Sequence, residues 1–110
     1  MSIHSKNKGN RFELETIKLL KDLGYKAVSS RSESRSLDDK GVDIVTDAPF
    51  GIQCKHVEKM SMPIHELIKK MRINDIDNPV VMHKRNNKGV IVSMDLALFE
   101  TLLFYFDRKL

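Results

Sequence analysis

The chain has a single cysteine, Cys54, so no intrachain disulfide framework can form. It has no tryptophan and only 6% aromatic residues. That argues against the stacking platforms that hold single-stranded nucleic acid. No apolar run approaches the roughly 20 residues of a bilayer-crossing helix. The opening MSIHSKNKGN lacks the apolar stretch of an export signal. These absences predict a reducing, cytoplasmic setting with no membrane association.

What remains is the balance of a folded domain. Hydrophobic residues make up 41% and charged residues 31% of 110 positions, enough for one core and too few for two domains. Basic residues outnumber acidic ones by 19 to 15, a net charge of +4 that suits a polyanionic partner.

Residues 1–9 read as a flexible basic arm, and residues 10–110 as one domain. A helix is predicted from Asn10, a favoured N-cap with Glu13 at the capping-box spacing, to Gly24, a C-terminal stop. Residues 25–28 follow as a strand. Residues 29–41, SSRSESRSLDDKG, read as a loop, and loops of that length are more often functional than accidental. Val42–Val45 and Ile52–Val57 alternate as strands do, with a turn between them. Pro63 opens a helix to about residue 73. Residues 80–83 and 90–94 form strands joined by the Asn86–Gly89 turn. A last helix is expected over 95–107, capped by Asp95. The order is α-β-β-β-α-β-β-α, an α/β domain.

Alternation places Asp43 opposite Val42 and Ile44, and Gln53 and Lys55 opposite Ile52 and Cys54. If the two strands pair with their apolar faces together, Asp43, Gln53 and Lys55 share a patch. On the first helix, Glu13 aligns with Ile17 and Leu20 at the edge of the apolar stripe, so it faces the sheet. Glu15 lies on a solvent row. Two carboxylates and an amide oxygen are the donors a hard divalent cation takes. A lysine beside them can position water or stabilise developing negative charge.

Gly9-x-x-x-Glu13, Gly41-Val42-Asp43 and Gln53-x-Lys55 together resemble the PD-(D/E)XK nucleases, especially the archaeal-type and small phage Holliday junction resolvases. The likeness runs from about Lys8 to Lys55. It implies a restriction-endonuclease-like mixed β-sheet flanked by helices. It implies an endonuclease acting on branched DNA, with Mg²⁺ as cofactor and Mn²⁺ as a substitute. Glu13, Asp43 and Gln53 become the metal ligands, with Lys55 as the fourth catalytic residue. The family also carries a serine in the loop before the aspartate, for which Ser30, Ser32 and Ser34 are all candidates. Many resolvases have glutamate where this chain has Gln53, which leaves the number of metals open. Small size and the family look point to a phage or prophage origin.

Lys8, Arg11, Arg31, Arg35 and Lys40, with Ser30 and Ser32, are the expected DNA contacts, gripping phosphates rather than reading bases. The plainer alternatives are a capping role for Glu13, a surface role for Lys55 and a solvated loop for the arginines. The four histidines show no zinc spacing. The final helix carries apolar residues on nearly every side, which predicts a homodimer through residues 95–107. Two rival functions remain: a restriction- or repair-type nuclease, and a silent DNA-binding module on the same scaffold.

Overall fold

The first helix starts earlier than its cap signal indicates. The computed structural model describes the backbone of residues 3–109 and the side chains of residues 7–108. α1 spans Ile3–Asp22, so Asn10 lies inside it and Glu13 closes no capping box. The expected arm is therefore helical from Ile3 to Gly9, while Met1 and Ser2 lie outside the described residues. The physical reason is cooperativity: once nucleated, a helix runs through an internal Asn or Gly for about 1 kcal/mol or less each. The stop is as expected. Gly24 takes φ +99°, the Gly24 N–H donates to the Lys21 carbonyl, and the Tyr25 N–H donates to the Leu20 carbonyl.

β1 spans Ala27–Ser29. The segment expected to be a loop then forms two short helices, α2 (Ser30–Glu33) and α3 (Arg35–Asp39). Their serines are caps: Ser29 Oγ accepts from the Arg31 N–H and Ser34 Oγ from the Leu37 N–H. β2 (Ile44–Thr46), β3 (Gly51–His56), α4 (Ile64–Ile73), β4 (Pro79–Lys84), β5 (Val90–Ser93) and α5 (Leu96–Lys109) complete the chain.

The five strands form one mixed sheet in the order β1-β2-β3-β4-β5. β3 and β4 are parallel, joined through α4, and the other neighbours are antiparallel. One face buries Ile44, Ile52, Cys54, Val80 and Met82 against Phe12, Ile17 and Leu20 of α1 and Leu98 of α5. The opposite face packs Val81 against Leu67 and Ile68 of α4. Burial of each large aliphatic side chain contributes roughly 1.5–3 kcal/mol. Leu14, Leu19 and Leu23 are exposed, so the buried stripe of α1 is narrower than leucine spacing predicts and includes Thr16. No helix among the described residues is long and apolar enough to cross a membrane.

Candidate active site

β2 and β3 meet at a single register pair, Ile44 with Ile52, which puts both apolar side chains on the α1 face as the alternation requires. The Asp43 N–H donates to the Ile52 carbonyl at 2.8 Å, one position off that pair. Beyond it the strands part. There the Asp43 carboxylate replaces the missing ladder bond: Oδ2 accepts from the Cys54 N–H at 2.7 Å. A backbone donor of a core strand thus fixes the aspartate.

Burial raises the Asp43 carboxyl above its ordinary range; the Cys54 bond and the Lys55 charge oppose the rise, and the Asp38 charge adds to it. Glu13 projects from the half-buried edge of α1, in register with the buried Ile17 and Leu20. Burial raises its carboxyl too, the Asp43 charge adds to the rise, and Arg31 opposes it. The negative charges of Asp43 and Asp38 both act on Glu13, and that of Asp38 acts on Asp43.

Gln53 and Lys55 lie on β3, beside Val81 and His83 of β4, and both are half-buried. Gly41 lies against Gln53: a methyl group at position 41 would sit in ordinary contact, 3.6 Å from Gln53 Oε1 and 3.4 Å from Met71 Cγ. Gly41 also takes φ +92°, a conformation that favours glycine.

The remaining predicted residues scatter. Arg31 Nη2 donates to Glu13 Oε1 at 3.0 Å. Arg11 and Arg35 are exposed, and Lys40 follows α3 half-buried. Lys8 acts on Glu58, past the end of β3. Ser32 is exposed and donates to the Ser29 carbonyl. Ser30 departs from expectation. It is completely buried, and its hydroxyl donates to the Val42 carbonyl at 2.6 Å, out of reach of a phosphate. It pins the start of α2 to the segment just before β2 that carries Asp43. A second contact of the Ser30 hydroxyl, 3.4 Å to Asp38 Oδ1, brings in a carboxylate that is not among the predicted site residues. Its signal was its place between the capping serine, Ser34, and Asp43.

The donors suit a cation held by few protein ligands. No group of three or more His, Cys, Asp or Glu side chains among the described residues forms a ready metal cage. Asp43 has one oxygen on Cys54 and Glu13 one on Arg31, which leaves each a second oxygen. Two anionic oxygens and a neighbouring amide fit Mg²⁺, which keeps most of its waters. Cys54 itself is not a ligand. Its thiol is buried beside Thr16, and burial pushes it up to about 12.

Neither family models nor curated proteins match the sequence. Among solved structures the chain is similar to Hjc of Archaeoglobus fulgidus, described as a Holliday junction resolvase from an archaeal hyperthermophile. The TM-score is 0.51, the sequence identity 18%, and the match covers 76% of this chain and 73% of that one. The chain has the resolvase fold. The resemblance to such nucleases holds at the level of the fold. Fold alone does not assign chemistry.

Proposed function

We propose that this protein is a divalent-metal-dependent endodeoxyribonuclease that cuts branched DNA, with four-way junctions preferred. The observation that carries the reading is Asp43, a half-buried carboxylate held by the Cys54 N–H where β2 and β3 part, under the Lys55 charge and itself acting on Glu13. Burying a carboxylate is unfavourable unless something compensates for it. A functional cation would do so.

In this reading Glu13 and Asp43 hold Mg²⁺, or Mn²⁺ in its place, and Gln53 assists through its amide oxygen. When bound, such an ion polarises the phosphodiester and acidifies attacking water. Lys55 orients that water and stabilises charge developing on the phosphate oxygens. The Cys54 N–H holds Asp43 in place, and Ser30 holds the α2 turn beside it. Lys8, Arg11, Arg35 and Lys40 grip phosphates, giving recognition by shape. Two copies joined through α5 would present two such sites to a junction.

The test is cleavage of a four-way junction and a matched linear duplex, with Mg²⁺ and with EDTA. The wild type cuts the junction faster than the duplex, and only with metal. Asp43→Asn loses at least about 100-fold in rate while still binding the junction. Wild-type cleavage by that variant would overturn the assignment. Equal cleavage of linear duplex would move the substrate to the restriction or repair class. Binding without cleavage by the wild type would make the chain a silent module.

A further inference from the structure

Arg31 is the residue whose position departs most usefully from expectation. Among the described residues, its contact with Glu13 is the one ion pair made by either Glu13 or Asp43. A guanidinium therefore stands where a cation would be bound.

The contact has the marks of a replaceable one. The Arg31 side chain is 46% exposed and that of Glu13 is 14% exposed, so the arginine lies on the solvent side. The contact joins one guanidinium nitrogen to one carboxylate oxygen, rather than the two parallel bonds that make such pairs hard to displace. The arginine backbone is anchored, because its N–H donates to Ser29 Oγ and its neighbour Ser30 is buried. A long side chain on a fixed root can swing without moving the helix. The like charges on Asp43 and Asp38 give Glu13 a standing need for a positive partner. A divalent ion and a guanidinium compete for the same oxygens and repel each other.

We propose that Arg31 is a latch: it occupies Glu13 in the resting protein and is exchanged for the divalent ion, turning outward to hold a DNA phosphate. The inference rests on the nuclease reading above. Metal and DNA both favour the swung-out arginine, so each strengthens the binding of the other. The resting protein holds metal weakly, and junction DNA completes the site.

Mn²⁺ binding followed by loss of the free-ion electron paramagnetic resonance signal tests this without catalysis. Arg31→Ala should bind Mn²⁺ about fivefold more tightly than the wild type. Arg31→Met, which keeps the length and removes the charge, should do the same and covers any disturbance of α2 by alanine. Junction affinity of the wild type should rise when Ca²⁺ replaces EDTA, and this gain should shrink in both variants. Unchanged or weaker Mn²⁺ binding in both variants would overturn the latch. Wild-type Mn²⁺ binding by Asp43→Asn would instead overturn the nuclease reading itself, so the two failures are distinguishable.

Discussion

Asp43 is held by the fold and disfavoured by it. Its bond from the Cys54 N–H fixes one oxygen, while burial resists the negative charge. The folded carboxyl therefore binds its proton more tightly than the unfolded one. Its contribution to stability then falls as pH rises from the ordinary aspartate range through the raised folded value. At neutral pH and without metal the charge is a liability. Asn at this position can accept the same bond without the charge. Asp43→Asn should accordingly stabilise the protein in EDTA by about 1 kcal/mol, a rise in Tm of about 4–8 °C. A scanning calorimetry trace with Tm at or below wild type would show that neighbouring cations already compensate the charge. The placements of Glu13, Gln53 and Lys55 were legible because their immediate neighbours set them: Ile17 and Leu20 orient Glu13, and strand alternation orients the pair on β3, whereas Asp43 falls just before β2 and is placed by its bond from Cys54. Arg31, Ser30 and Asp38 were not, because their partners, Glu13 and Val42 among them, come from other parts of the chain. Composition could not tell a phosphate-binding arginine from one resting on a carboxylate.

At the scale of elements, the long helices and strands follow from apolar period and punctuation, and α2 and α3 do not. A one-turn helix has almost no periodicity to read, and its serines resemble loop serines until the segment is anchored from below by Ser30. The join between α4 and α5 shows the converse, a cap that sequence does reveal. Asp95 accepts from the Leu98 N–H at 3.0 Å, as the N-cap reading requires, and also takes a two-nitrogen fork from Arg72 at 2.9 and 3.0 Å. The Arg72 bonds foremost hold its carboxyl below the ordinary range. That stabilisation is present above the unfolded aspartate value and is lost as pH falls through the lower folded one. Asp95→Ala should cost about 1–2 kcal/mol at neutral pH, mostly through the lost cap, because exposed pairs add little. Urea titrations should show the gap between variant and wild type closing below about pH 4. A gap independent of pH would mean that the charge plays no part.

At the scale of the whole molecule, the second half of the chain leaves apolar surface uncovered. Leu98 is buried, but Phe99, Leu103, Phe104, Tyr105 and Phe106 of α5 are exposed, the last at 62%. Val90, Ile91 and Val92 are exposed on β5, the edge strand of the sheet. The sequence expectation that this helix needs a second cover follows from its apolar girth, and the described residues do not supply one. Sedimentation equilibrium should find a dimer for the wild type, and a monomer when Phe99 and Leu103 are both replaced by Glu. A wild-type monomer at tens of micromolar would remove the paired-site geometry and leave single-site chemistry intact. The strand order bears on biogenesis as well. Because the strands stand in the sheet as they stand in the chain, none has to be inserted between two already joined. α1 and the β1–β3 meander, which carry Glu13, Asp43, Gln53 and Lys55, leave the ribosome before α4, β4, β5 and α5, and the sheet grows outward from them by addition at one margin.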